Sequence, residues 1–418
     1  MVSISTNLVA GVNKPGTSYL VFLGCGVLGL SVSSLFFFFI PIISLSVCII
    51  ISFYGALISY WAILEYMPEF IKRNMCGKDQ CKVSFPEPIG IIPAVVYLLI
   101  IFVLIPVCFL EWVLNHSEFP HDKFFAFISL AFGICSAVLL GFADDMFDLR
   151  WRHKLMFPAL ASLPVLLVYH VTGASTVIVV PNQLQTILPF GRALDIGVLY
   201  YVYMGMMVIF CTNAINILSG INGLEAGQAL VVALSIVVFN IVQLLRLENE
   251  KWEHSLSLYF MVPFMAVDSV LLHFNWYPAK GFVGDTFCYW AGMTFGATSV
   301  IGHFSKTMLL FLIPQIFNFL YSLPQLFHLI PCPRHRLPKY DPETNTVGMS
   351  YSTFMLHISK TSWIRVNNFT ILNLLLKILG PMHEETLTKN LLVIQFFFSC
   401  VAFFVRFFIA DLLYDVVY

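Results

Sequence analysis

Ten apolar stretches, each close to the ~20 residues that a helix needs to cross a hydrocarbon core about 30 Å thick, succeed one another along this chain. They lie near residues 41–64, 89–112, 124–142, 156–171, 195–215, 226–246, 256–274, 287–303, 308–330 and 390–410. No water reaches a backbone N–H or C=O in lipid, so a spanning segment is a helix or part of a closed barrel, and stretches of this length select helices. An all-α polytopic membrane protein is expected. An eleventh stretch, 17–40, is separated from the first by Pro41 alone. It reads as an extra span, a signal-anchor or an interfacial segment, and it has no clear small-residue cleavage site. Residues 1–40 are set apart as an N-terminal hydrophobic extension and 41–418 as the membrane domain.

Composition agrees with this reading, since 59% of the residues are hydrophobic, only 11% are charged and the mean hydropathy is +0.86. A soluble protein carries about 25% charged residues. The net charge of −1 argues against a nucleic-acid partner, which would require a basic face. Most of the ten cysteines lie in or beside apolar runs and read as small hydrophobes. No C-x-x-C pair points to zinc.

Lys and Arg decide the orientation. Alternate loops, 68–88, 143–155, 216–225, 275–286 and 331–389, carry 15 of the 22 basic residues, and the opposite loops carry five. The positive-inside rule makes the first set cytosolic. The loop 331–389 is long enough for a small folded element. On the other side, Ser175–Val180 followed by Pro181-Asn182 reads as a short hairpin.

Every unusual polar motif then falls on the cytosolic side. These are Pro86-Glu87, the run from Gly141 through Asp144, Asp145 and Asp148 to Arg150-Trp151-Arg152-His153-Lys154, the segment Asn213–Glu225 with its three asparagines, Phe282-Val-Gly-Asp285, and Pro333-Arg334-His335-Arg336. Carboxylate and amide oxygens suit a hard cation, and Lys and Arg suit phosphate. That inventory points to a phosphate-bearing substrate with Mg2+, an ion that takes few ligands from protein and the remainder from phosphate and water. Phosphoryl transfer asks the protein mainly for positioning and charge neutralisation. Such a site suits a soluble nucleotide donor meeting a lipid acceptor.

Individual residues keep two readings. On a helix Asp144 and Asp145 diverge while Asp144 and Asp148 share a face, so the acids are either a solvated membrane-edge cap or part of a metal and phosphate site. The basic run after them favours the site, against simple anchoring with an interfacial tryptophan. Asp285 reads as a helix N-cap, as a metal ligand, or as both. Arg334-His335-Arg336 is a solvated basic loop or an anion clamp. Glu87 sits on a stiff segment between two prolines.

With G-F-A-D-D and R-W-R-H-K, N-A-I-N-I-L-x-G-I-N-G-L-E-A-G-Q, F-V-G-D-T-F and P-C-P-R-H-R in view, the chain resembles the eukaryotic, UDP-GlcNAc-using branch of the polyprenyl-phosphate sugar-1-phosphate transferase superfamily (glycosyltransferase family 4). The bacterial phospho-MurNAc-pentapeptide translocase belongs to the same superfamily. The resemblance runs from about residue 41 to the C-terminus. It implies a multi-pass protein of the endoplasmic reticulum membrane with a cytosolic active site and Mg2+ as cofactor. The implied reaction takes UDP-GlcNAc and dolichyl phosphate to GlcNAc-diphosphodolichol and UMP, the first step of lipid-linked oligosaccharide synthesis for protein N-glycosylation.

Carried over by motif, Asn216 and Asp285 would hold Mg2+, while Lys154 and Arg334 would neutralise phosphate oxygens. Gly220, Asn222 and Phe282 would receive uridine. Trp151, His335 and Arg336 would shape the GlcNAc pocket, within 331–389 as a substrate-recognition insertion. Asp144 and Asp145 would sit nearer the acceptor phosphate and, with Lys154, count as catalytic, whereas Glu87 and Asp148 would support substrate binding. Tunicamycin would be expected in the donor pocket, and a homodimer and an association with the next glycosyltransferase of the pathway are further expectations. A phosphate monoester has a second pKa near 6, so the acceptor is already a nucleophile at neutral pH. Direct attack is favoured, and a covalent aspartyl intermediate stays open. A nucleotide-sugar transporter is the main rival, but no internal repeat is evident and the polar motifs gather at one face rather than at a midplane.

Overall fold

A computed structural model describes residues 15–39, 42–78, 84–185, 193–247, 251–333, 336–355 and 363–414. Helices dominate it. In chain order the elements are α1 (Pro15–Phe39), α2 (Ile43–Lys72), β1 (Cys76–Lys78), β2 (Ser84–Pro86), α3 (Ile91–Leu114), α4 (His121–Phe147) and α5 (Trp151–Val171). Then follow β3 (Val177–Val179), α6 (Asn182–Gln185), β4 (Ala193–Asp195), α7 (Val198–Ile217), α8 (Leu224–Arg246), α9 (Lys251–Asn275), α10 (Gly284–Ile301), α11 (Ser305–Phe311) and α12 (Ile313–Leu326). The chain ends with β5 (Lys339–Asp341), β6 (Thr346–Gly348), β7 (Tyr351–Met355), β8 (Trp363–Asn367), α13 (Ile371–Leu379), α14 (Glu384–Phe404), a π-turn at Val405–Ile409 and α15 (Ala410–Leu413).

Among the described residues eight helices are long and apolar enough to cross a membrane, and α11 with α12 forms a ninth candidate span bent by 70°. The all-α polytopic expectation holds. Each of the ten expected stretches has a helical counterpart, including 287–303, which corresponds to α10. That helix is rich in Gly, Ala, Ser and Thr, and every residue from Thr286 to Ile301 is buried. It is the centre of the bundle, packed against α4 and α7 and also touching α3, α5 and α9.

Small residues explain how tightly α10 is held, because burial gives little drive between helices in lipid and close backbone approach takes its place. A Cβ on Gly292 would lie 2.2 Å from Cys211 O and 2.4 Å from Thr212 Cα of α7. One on Gly141 of α4 would lie 2.6 Å from Thr286 Cα. The surfaces that face away from this core carry exposed apolar side chains such as Leu99, Val103, Leu139, Leu163, Leu167, Met206, Phe396 and Phe397, as a lipid-facing belt must. The protein is a multi-pass membrane protein.

The remaining elements are short antiparallel pairs. Strand β3 pairs with β4, Val177 opposite Asp195, and this is the hairpin expected after Ser175, closed through a longer connection than Pro181-Asn182 alone. The pairs β5–β6 and β7–β8 precede α13. A second apolar cluster of Leu218, Ile221, Leu224, Val347, Ile371, Leu372, Leu376, Leu387 and Leu391 joins these pieces to α14 and to the asparagine loop. Asn318 of α12 fastens the same junction, donating to Ile217 O at 3.1 Å and accepting from Ile371 N at 2.9 Å.

Candidate functional site

Four helix ends and two loops meet at the end of the bundle where the polar motifs lie. Lys154, in the first turns of α5, is 2.8 Å from Asp144 Oδ2 and 2.9 Å from Asp285 Oδ2. The Asp144 side chain is fully buried, whereas those of Lys154 and Asp285 are 23% and 27% exposed, so a ligand approaches from the Asp285 side. Asn216, near the end of α7, donates through Nδ2 to Asp285 Oδ1. Asp144 Oδ1 also accepts Leu149 N at 3.0 Å, which fixes the chain where α4 ends.

Asp145 has a different task. Its two oxygens accept Asp285 N at 2.7 Å and Thr286 N at 2.8 Å, and the Thr286 hydroxyl as well. A carboxylate from α4 thus caps the N-terminus of α10, satisfying N–H groups that have no partner within the helix. The N-cap reading of Asp285 is corrected: α10 begins at Gly284, the residue before it offers no side-chain cap, and Asp285 lies in the first turn. Because Asp145 supplies the cap, the Asp285 carboxylate is left to face Lys154 and Asn216.

A second correction concerns Asp148. Helix α4 stops at Phe147, and Asp148 takes the left-handed conformation at φ 47° and ψ 66°. The helical face that would align it with Asp144 has ended there, and Asp148 is exposed.

The loops around the acid cluster are knitted to one another. Phe282 N donates to Pro86 O, Ile89 N to Phe282 O and Gly90 N to Val283 O, at 2.9, 2.9 and 3.1 Å. Phe282 meets Phe85 edge-on at 5.7 Å between ring centres. A Cβ on Gly77 would lie 2.0 Å from Glu87 Oε2 and 2.8 Å from Phe282 Cδ2, so Gly77, Glu87 and Phe282 share one corner. Burial, helped by the charge of Asp285, pushes the Glu87 carboxyl above the usual range.

The asparagine loop, which joins the end of α7 at Asn213–Ile217 to the start of α8 at Leu224-Glu225, is held from several directions. Glu225 accepts Gly220 N at 2.9 Å, Glu384 accepts Asn222 N at 2.7 Å, and Thr388 donates to Asn222 O at 2.9 Å. Gly220 has φ +104°, and a Cβ there would lie 2.0 Å from Leu337 Cδ2. Only glycine fits. Leu337 directly follows Arg336, so the basic loop reaches the asparagine loop at this contact. Arg336 is half-buried, its Nη1 has no hydrogen-bond partner among the described residues, and burial lowers its pKa. Arg334 and His335 lie outside the described residues; Trp151 opens α5, and nothing of its side chain is described.

Sequence reasoning missed Glu384, Thr388, Asn275 and Trp276. Asn275 and Trp276 sit beside F-V-G-D in an N-W-Y-P run that carried no motif of its own, and Glu384 and Thr388 fell within the loop 331–389, whereas they lie in the first turns of α14.

No three His, Cys, Asp or Glu residues among those described converge as a metal site. The donor set nevertheless suits a hard cation bound mostly by substrate: exchanging O and N of the Asn216 amide, an assignment that rests on the hydrogen-bond network, sets its one oxygen beside Asp285 Oδ1. Mg2+ commonly takes one or two protein ligands in this way.

A multi-pass bundle with a partly buried acid–lysine–acid cluster at one end suits a membrane transferase, and comparison with known proteins gives the class. A model of glycosyl transferase family 4 matches residues 127–303. The UDP-N-acetylglucosamine–dolichyl-phosphate N-acetylglucosaminephosphotransferase of Schizosaccharomyces pombe is 41% identical over 83% of this chain and 88% of its own length. Those of Saccharomyces cerevisiae and Dictyostelium discoideum are each 40% identical, over 78% and 85% of this chain and 83% and 87% of their own lengths. The chain belongs to glycosyl transferase family 4.

Proposed function

We propose that the protein transfers GlcNAc 1-phosphate from UDP-GlcNAc to dolichyl phosphate, giving GlcNAc-diphosphodolichol and UMP. The observation that carries this reading is Lys154 held between Asp144 and Asp285, with Asn216 on the free side of Asp285. Relatives at about this similarity bear the matching name. The protein resides in the endoplasmic reticulum membrane with this end towards the cytosol, an orientation supported by the Lys and Arg bias of the loops.

Asn216 and Asp285 hold Mg2+ in this reading. The ion, when bound, offsets charge on the donor diphosphate. Lys154, already flanked by two carboxylates, turns its ammonium to phosphate oxygens, and Arg334 joins it from the basic loop. Gly220, Asn222 and Phe282 line the nucleoside, with Phe282 as the stacking face. Trp151, His335 and Arg336 shape the sugar pocket, and Arg336 brings a buried guanidinium nitrogen that has no partner among the described residues. Dolichyl phosphate is largely dianionic above its second pKa near 6. One of its oxygens attacks the β-phosphorus, the bond to UMP breaks, and UMP leaves with the electron pair. Asp144 orients Lys154, Asp145 holds α10, and no general base is required.

Membranes containing the protein, given labelled UDP-GlcNAc, dolichyl phosphate and Mg2+, should yield labelled lipid together with UMP, and tunicamycin should block both. Release of UDP, or uptake into vesicles without UMP, would sink the reading. A phospho-aspartate trapped in the unmodified protein would overturn direct attack.

A further inference from the structure

Asn275, the last residue of α9, is 2% exposed and belongs to none of the motifs above. Its side chain makes two bonds of opposite polarity to two different loops: Oδ1 accepts Gly223 N at 3.1 Å, and Nδ2 donates to Gly281 O at 3.1 Å. Gly223 directly follows Asn222, and Gly281 directly precedes Phe282. One planar amide therefore spans the gap between the two loops assigned to the nucleoside. A primary amide offers one acceptor and one donor at a fixed separation, which neither a carboxylate nor a hydroxyl reproduces. Trp276, the next residue, closes against the same loop, since a Cβ on Gly223 would lie 2.9 Å from Trp276 Cε3.

We propose that Asn275 is the positioning residue of the nucleoside subsite, setting the distance between Phe282 and the Gly220–Asn222 edge without itself touching the donor. The assignment rests on the transferase reading above. It separates two functions of the donor pocket. The nucleoside half depends on the spacing that Asn275 maintains. The diphosphate half depends on Lys154, Asp285 and Asn216, which bond to one another and not to Asn275.

The test uses the full-length protein in lipid nanodiscs, after the unmodified protein has been established to make the labelled lipid; failure at that step counts against the transferase reading and not against this one. Asn275→Asp keeps an acceptor for Gly223 N but turns an anion towards Gly281 O, and Asn275→Ala removes both bonds. Each should raise the KM for UDP-GlcNAc and the inhibition constant of UMP at least about tenfold, the equivalent of one unsatisfied buried group, and Asn275→Ala, which leaves two, should raise them further. The KM for dolichyl phosphate and inhibition by inorganic pyrophosphate, which has no nucleoside, should stay within about twofold. Donor and acceptor KM rising together, or kcat falling at constant donor KM, would assign Asn275 a purely structural role. If Asn275→Ala does not fold, the same ratios measured on Asn275→Asp decide, and unchanged UMP inhibition in that variant overturns the proposal.

Discussion

Adjacent acids in one sequence motif carry different loads here, and substitution separates them. Asp145→Asn keeps one acceptor for α10 and loses the other along with the charge, so the cap weakens by about 1–2 kcal/mol and the melting temperature falls. Asp144→Asn leaves Lys154 its bond to Asp285, so turnover should drop with little change in melting; the opposite pattern would exchange the two roles. Glu87 adds a pH dependence. Its raised pKa means that the folded state holds the proton over a range where the unfolded chain has lost it, so stability falls as pH rises above the ordinary carboxyl value. In metal-free buffer Glu87→Gln should flatten that slope and melt higher than the unmodified protein at pH 8, a value chosen well above any ordinary carboxyl pKa of about 4.3. Asp268 of α9 is fully buried, and both its oxygens lack a hydrogen-bond partner among the described residues. Asp268→Leu should raise the melting temperature, because an apolar side chain of similar size removes an uncompensated polar group. The motifs made Asp144, Asp145 and Asp285 visible in the sequence. Which of them caps and which faces the cleft was not visible, because the partner of Asp145 lies 140 residues further along the chain.

At the scale of elements, apolar length was enough to find the spans, since the hydrocarbon core dictates it. It could not reveal the 70° break between α11 and α12, because Leu312 and its neighbours are as apolar as the helices they separate. Nor did it mark α10 as central; burial on every side relaxes the demand for large apolar residues and admits Gly and Thr. The break is secured by Gln315, whose amide nitrogen donates at 2.8 Å to both Gln228 Oε1 of α8 and Gln395 Oε1 of α14. Gln228 in turn donates to Ile215 O and Leu218 O beside the asparagine loop. Gln315→Leu leaves two buried amide oxygens without this donor and should cost about 1–3 kcal/mol. A double-mutant cycle of melting measurements pairing Gln315→Leu with Gln395→Leu would detect the coupling of these two amides.

For the molecule as a whole, the main described neighbour of α1 is α2. Helix α1 packs along it, with Ser33 donating to Ser46 O at 3.1 Å, and turns Val27, Leu28, Leu30 and Leu35 outward. A chain lacking residues 1–39 should retain donor and acceptor KM while losing some melting temperature; loss of activity at unchanged melting would assign α1 a part in catalysis. By contrast, α10 meets α4 and α7 through backbone, at Gly141 and Gly292. Those three helices carry Asp144, Asn216 and Asp285, and no side chain lies between them at these contacts to be enlarged or trimmed. Evolution or design therefore has little room to retune sugar-nucleotide preference through the helices, where substitution acts as an off-switch. New preferences must come from the loops that close over them, above all the basic segment that rests through Leu337 on Gly220.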